Sequence, residues 1–415
     1  MNKKLLSLAI AAAMAAPTAA MADAVLYGRL NASIDYQDVK NAYALPTYDP
    51  KTGVKLTKGV DFEGWGFGKG NYIQGEDRAS RIGVKGSEDL GNGLKAVYQV
   101  EFGINLKDTN NAINSNSDTI SYRNTFVGLA GSFGTFLLGR HDTPFKVSSG
   151  KLDLFADTMA DYNGTIGFED VRADNVLAYI SPSFSGFQFM AATVASGGAT
   201  AGSGLNVNAD EIDGAYSLAA IYSNGPFYGS LAYESMSNEM FMNSATSRAG
   251  SKVCYTPLGA PAASCNYVED DYSKWRVGLG ILDWNGFSLT AVYEEQSDLP
   301  RGGMWSKLNI LDGRQAWLGP DSQSLWQIQA GYAFGNSMIK GMYGAMSRDG
   351  RSQRLPAHLK DTNDGDRSAW AIAFDHNLSK RTKAYVLYTE VDDDLENVQQ
   401  SIEWSGFSLG LMHSF

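Results

Sequence analysis

Apolar and polar residues alternate with period two along most of this chain. In "LWQIQAGYAFG", Trp326, Ile328, Ala330, Tyr332 and Phe334 share one face, and Gln327, Gln329 and Gly331 share the other. In "KWRVGLGIL", Trp275, Val277, Leu279 and Ile281 oppose Lys274, Arg276, Gly278 and Gly280. Such alternation describes strands with one apolar and one small or polar face. It predicts sixteen strands, at about 24–36, 77–88, 94–107, 118–130, 134–141, 174–182, 187–197, 211–223, 227–236, 271–283, 287–297, 322–334, 338–348, 367–377, 383–392 and 402–415. The intervals between them alternate in length. The short ones, such as "DLGNG" (Asp89–Gly93), "GSFG" (Gly131–Gly134), "DWNG" (Asp283–Gly286) and "FGNS" (Phe334–Ser337), carry the Gly, Asn and Ser of tight hairpins. The long ones, at 37–75, 142–172, 237–270, 298–321 and 349–366, are polar and charged.

An even strand count, with tight turns at one end and long loops at the other, is the signature of an all-β transmembrane barrel. The expected fold is a 16-stranded antiparallel transmembrane β-barrel, wide enough to enclose water. Apolar faces would meet lipid and polar faces a lumen. Tyr27, Tyr98, Tyr293, Trp370 and Tyr388 lie near strand ends, where interfacial aromatic girdles form. Closure requires the last segment, 402–415, to pair with the first, which removes both sheet edges.

The N-terminus adds an export leader. "MNKK" is basic, "LLSLAIAAAMAA" is apolar, and "AMA" ends at Ala22, so residues 1–22 read as a cleaved signal peptide and 23–415 as a single barrel domain. The formal net charge is −11, which argues against nucleic acid as a partner, because phosphate binding depends on cationic side chains. Cys254 and Cys265 lie close together in a polar loop, and in an oxidising compartment they read as a disulfide. No cofactor or metal is expected. "GWGFGKG" (Gly64–Gly70) lacks the strand–helix context of a phosphate loop and reads as outer loop. "DTNDGD" opens like a calcium loop, but its twelfth position is Ile372 rather than Glu. An enzyme would need a positioned His. There are four, and His141 beside Asp142 alone borders the pore region, so no enzyme is expected.

"VLYGRLNASIDY", "SRIGVKGSEDLGNGLKAVYQVEFG", "RNTFVGLAGSFGTFLLGR" and "LSKRTKAYVLY", with the terminal Phe, resemble the Gram-negative general porins, closest to the neisserial and comamonad branch. The resemblance spans essentially all of 23–415. It implies a homotrimer of water-filled barrels that pass small hydrophilic solutes by diffusion through the outer membrane, in contact with lipopolysaccharide. A substrate-selective channel for anions or sugars is the alternative. The resemblance also implies that the third outer loop, about 141–171, folds into the lumen as a constriction. Asp153 and Asp157 would then face a basic wall of Arg29, Arg81, Arg123 and Arg172. Opposed rows of charge set a field across a narrow pore. The alternation of strand 118–130 leaves open whether Arg123 or Asn124 points inward. The whole-chain charge leans slightly towards cations, and the arginines pull the other way. Finally, the resemblance makes the last strand, with Phe407, Leu409, Leu411 and Phe415, the signal read by the barrel-assembly machinery.

Overall fold

The computed structural model describes residues 24–42, 60–68, 79–106, 120–195, 214–236, 252–255, 264–267, 271–298, 322–349, 365–395 and 400–415. The leader and most of the long loops lie outside them.

Alternating sequence becomes strand throughout. In chain order the strands are β1 (Val25–Ala42), β2 (Val60–Phe67), β3 (Arg81–Gly91), β4 (Leu94–Ile104), β5 (Ile120–Gly131), β6 (Gly134–Asp142), β7 (Arg172–Ile180), β8 (Phe187–Val194), β9 (Ala215–Asn224) and β10 (Phe227–Met236). They continue with β11 (Lys252–Tyr255), β12 (Ser264–Tyr267), β13 (Tyr272–Trp284), β14 (Phe287–Ser297), β15 (Ser322–Phe334), β16 (Ser337–Asp349), β17 (Gly365–Asn377), β18 (Thr382–Leu395) and β19 (Gln400–Ser414). Without β2, β11 and β12 they pair antiparallel in a closed ring of sixteen. The ring closes where β1 runs against β19, from Arg29 opposite Ser414 to Lys40 opposite Glu403. The chain end is held too: Gly28 N–H donates to Phe415 O at 3.0 Å, and Phe415 N–H to Gly28 O at 3.1 Å. Phe407, Leu409, Leu411 and Phe415 all sit on the exposed outer face of this seam.

Exposure follows the faces read from sequence. Trp326, Ile328, Tyr332 and Phe334 are exposed on the outside of β15, whereas Gln327 and Gln329 are buried inside. Trp326 to Phe334 spans about 26 Å along a tilted strand at ~3.3 Å per residue, close to the height of an apolar membrane band. Cross-strand aromatic pairs mark one border of that band: Trp275–Tyr293 at 5.2 Å, Trp326–Tyr343 at 5.6 Å and Trp370–Tyr388 at 5.4 Å. Phe136–Tyr179 at 4.8 Å and Phe187–Tyr222 at 4.7 Å sit at the tight-turn end.

The first long loop holds a difference from the expected layout. Residues 60–67 form β2, which pairs with the upper part of β1 from Ile34 opposite Phe67 to Val39 opposite Phe62. "GWGF" is thus strand, not open loop. The glycines read as punctuation, yet Trp65 and Phe67 alternate with them, and Trp65 packs on Tyr36 at 5.3 Å. β11 and β12 form a second unanticipated hairpin, with Cys254 directly opposite Cys265 in the backbone register.

Candidate functional site

Between β6 and β7 the chain leaves the sheet. Thr143 caps a short helix, Pro144–Ser149, accepting from Lys146 N–H, with Pro144 at its start. Turns follow, and Asp161 caps a second short helix, Tyr162–Thr165. This segment lies along the inner face of successive strands. Phe145 N–H donates to Ser217 Oγ on β9 at 3.0 Å, and Tyr228 O–H on β10 donates to Ser148 O at 2.8 Å. Thr290 Oγ1 on β14 donates to Leu152 O at 2.7 Å, and Lys340 Nζ on β16 donates to Leu154 O at 2.6 Å. Its apolar side chains, Phe145, Leu152, Phe155, Met159, Ile166 and Phe168, are fully buried. The wall receives them with glycine: a Cβ on Gly344 would collide with Ile166, and one on Gly406 with Met159. The protein's core is therefore this loop against the wall.

The loop covers the wall from β9 round to β19. Opposite it, on β1, β3, β5 and β7, stands a row of arginines. Arg29 Nη1 meets Asp157 Oδ2 at 2.6 Å, and Arg81 Nη1 meets the same oxygen at 3.5 Å. Asn31 on β1 donates to Asp157 O at 2.7 Å. Asp157 sits in the left-handed backbone region at φ 62°, which Asp tolerates better than most residues, and donates its N–H to Asp161 Oδ2 at 3.0 Å. Arg123 Nε meets Glu101 Oε1 at 2.6 Å, while Tyr27 O–H donates to Glu101 Oε2 at 2.8 Å. Arg172 Nε meets Asp142 Oδ1 at 2.9 Å and Asn124 Oδ1 at 2.7 Å, and Lys146 joins Asp142 at 3.2 Å. Burial alone would raise the Asp142 carboxyl, but Lys146 and Arg172 hold it below the usual carboxylate range.

Two β-bulges aim this row. Phe102 pairs with Tyr122 and Val100 with Thr125, so Arg123 and Asn124 together oppose Glu101. Both side chains therefore reach inward contacts, and the alternative left open by simple alternation dissolves. A second bulge lies between Gly139 and His141, and next to it Asn175 takes φ 57°.

The far wall is different in kind. Arg276 on β13 is fully buried between Asp170 at 2.7 Å and Glu294 at 2.5 Å. Lys274 pairs with Glu234 at 3.1 Å and donates to Glu169 O at 2.8 Å. Lys340 pairs with Asp375 at 3.0 Å.

The structure splits the two loop carboxylates expected to act together. Asp157 faces Arg29 and Arg81. Asp153 turns the other way, accepting from Gln329 Nε2 at 2.9 Å and from Phe155 N–H at 2.9 Å. The four-residue spacing would share a face on a helix, but residues 151–160 run through turns. Burial, offset in part by Gln329, pushes the Asp153 carboxyl up to about 6. Burial and then Asp153 raise Asp161 as well. Sequence reading missed Glu101, Asp142, Arg276 and Glu294. Polar-face placement of Arg276 was legible; its partner on a loop more than a hundred residues away carried no signal. The side chains of Cys254 and Cys265 lie outside the described residues. His141 Nδ1 approaches the backbone oxygen of Asp142 at 2.6 Å, while the Asp142 carboxylate is engaged by Arg172, Lys146 and Asn124.

A closed barrel with an apolar outside, and with arginines along its inner wall, defines a membrane β-barrel of the pore-lining class. The Gram-negative porin family model matches residues 9–396, and the chain belongs to that family. It is an outer-membrane protein. It is 30% identical over 265 residues to an outer membrane porin protein of Bordetella pertussis, covering 62% of this chain and 64% of that one. It is 34% identical over 191 residues to the major outer membrane protein P.IA of Neisseria meningitidis serogroup C, covering 45% and 44%. The matched stretches thus span less than two thirds of either relative. An anion-selective porin from Comamonas acidovorans superposes with a TM-score of 0.57 over 95% of this chain and 99% of that one, at 18% identity, a likeness of fold.

Proposed function

We propose that the chain forms a water-filled channel for passive diffusion of small hydrophilic solutes and ions, narrowed by residues 143–171 against the arginine row. The carrying observation is where solvent reaches. Arg29, Arg81, Arg123 and Arg172 keep 31%, 20%, 16% and 13% of their side-chain surface. Lys274, Arg276 and Lys340 on the far wall keep 0%, 0% and 3%. The aqueous path runs along β1 to β7, where charge is available to a solute.

Along that path five cations (the four arginines and Lys146) meet three carboxylates (Asp157, Glu101 and Asp142). Salt screens charges beyond about 10 Å, so these groups outweigh the distant surplus of acid. The channel therefore prefers anions weakly, against the lean of its net charge. Reversal potential in planar bilayers under a salt gradient tests both statements. Conductance rising linearly with salt and a reversal potential of anion-selective sign are expected. Saturation with one solute would instead support a substrate-selective channel.

The remaining assignments rest on the resemblance. The barrel assembles as a homotrimer contacting lipopolysaccharide, and the exposed row Phe407, Leu409, Leu411 and Phe415 serves as its assembly signal. The backbone register of Cys254 and Cys265 suits a disulfide across β11 and β12. A mobility change on reducing gels tests that bond.

A further inference from the structure

We propose that Arg276 is the clasp that fixes the constriction loop and thereby sets the width of the pore. This rests on the channel reading above, and assigns a positioning role to a residue that does not face the aqueous path.

One guanidinium binds both legs of the loop and the wall behind it. On the outgoing leg, Nη1 donates to Ser149 Oγ, and the group stacks 4.4 Å from the centroid of Phe145. On the returning leg, Nη1 donates to Asp170 Oδ1 at 2.7 Å, and the Phe168 ring lies 5.4 Å away. On the wall, Nε donates to Glu294 Oε2 at 2.6 Å. The two legs also meet each other around this point. Ser149 Oγ lies 3.2 Å from Tyr162 O–H, which donates to Asp170 Oδ2 at 2.8 Å. Arg276 is thus the shared partner of two segments about twenty residues apart, and it ties both to β13. Arginine suits this place, because its planar fork serves several acceptors and its face stacks on aromatic rings.

The geometry explains why the loop needs a clasp at its back. The front contact, Asp157 with Arg29 and Arg81, is partly exposed on both sides. Water and passing ions compete for such a pair. The clasp at β13 excludes them. Burial would raise Asp170, but Arg276 and Lys146 hold its carboxyl below the usual range, so this pair stays ionised across the pH range in which the loop works.

The test compares Arg276→Gln, Arg276→Lys and Asp170→Asn with the unaltered full-length protein in planar bilayers. Three quantities are read: single-channel conductance, open-channel noise, and the largest polyethylene glycol that enters the pore. Heat-modifiable migration on gels reports whether the barrel is intact. Arg276→Gln should raise conductance roughly twofold or more and admit larger polymers, since pore width governs both. Arg276→Lys keeps charge without the fork and should recover part of the original cut-off. Asp170→Asn removes the loop-side charge while leaving Arg276 with Glu294, and should shift the polymer cut-off in the same direction. A folded Arg276→Gln barrel with unchanged conductance and cut-off would overturn the proposal. If Arg276→Gln fails to fold, an unchanged cut-off in Asp170→Asn overturns it instead. Loss of thermal stability alone would not move the polymer cut-off. Should the unaltered protein fail to conduct, the channel reading falls, an outcome distinct from either.

Discussion

The inner wall of this barrel has two halves built from the same residue types. On β1 to β7, Arg29, Arg81, Arg123 and Arg172 meet carboxylates with solvent still present. On β10 to β17, Lys274, Arg276 and Lys340 meet Glu234, Asp170, Glu294 and Asp375 with almost none. The first half keeps its charges usable by solutes. The second spends them on holding the loop. The loop decides which is which: where it lies, the wall is desolvated, and where it does not, the wall is pore. Sequence position on an inward face is therefore necessary for a pore residue but not sufficient.

The largest expected effect lies in the buried half. Glu294→Ala leaves the Arg276 guanidinium short of one of its two carboxylates in a dry site. Breaking such a pair costs about 3–5 kcal/mol. The temperature at which the folded barrel converts to its slow-migrating form on gels should fall clearly. An unchanged transition would mean that water already reaches the site. Next comes the apolar seat of the loop. Gly344→Val places a branched side chain where Ile166 packs. Overpacking of this kind costs about 1–3 kcal/mol. Trypsin, which barely cuts a loop seated on the wall, should then cleave at Lys146 or Lys151, and resistance equal to that of the parent protein would argue against a tight seat.

Much of this architecture was legible beforehand. Every barrel strand announced itself by alternation, because each has one face in lipid and one away from it. The tight turns announced themselves by Gly and Asn. What was not legible follows from the physics of the loop. Gly344 and Gly406 look like weak strand residues until Ile166 and Met159 are placed against them. Asp153 and Asp157 look equivalent until the turn between them sends one to Gln329 and the other to Arg29. Arg123 and Asn124 cannot both face inward on a regular strand, and a bulge is a register event that no period reports. β2 was hidden by its own glycines.

A smaller effect is expected in the solvated half. Asp157→Asn removes the carboxylate shared by Arg29 and Arg81 but keeps a hydrogen-bonding side chain of the same shape. Partly exposed pairs contribute about 0–1 kcal/mol, so stability should barely change. Function should change instead. Two arginines are freed towards the passage, and the reversal potential should move further in the anion-selective direction. The opposite sign would show that Asp157 does not face permeating ions.

The subtlest expectation concerns pH, and it separates the two faces of the loop itself. Asp153 and Asp161 lie on its buried side, and burial raises both carboxyls, Asp153 to about 6. A carboxyl raised above its ordinary value binds its proton more tightly in the seated loop than in the released one. Its contribution to seating is therefore full below the ordinary carboxylate pKa and is lost as pH rises through the folded value. The loop should be held most firmly in mild acid and loosen between about pH 4 and 6, with open-channel noise rising over that window. Lys340 faces Asp153 from β16 and limits the effect, since it favours the ionised form. Asp142, beside Lys146 and Arg172 at the opposite end of the loop, is shifted downwards and titrates below this window. Asp153→Asn should flatten the noise profile between pH 4 and 6 while leaving the reversal potential at neutral pH where it was. A reversal potential that moves with Asp153→Asn would place this carboxylate on the solute path after all, and would merge the two sides of the loop that the hydrogen bonds to Gln329 and Phe155 keep apart.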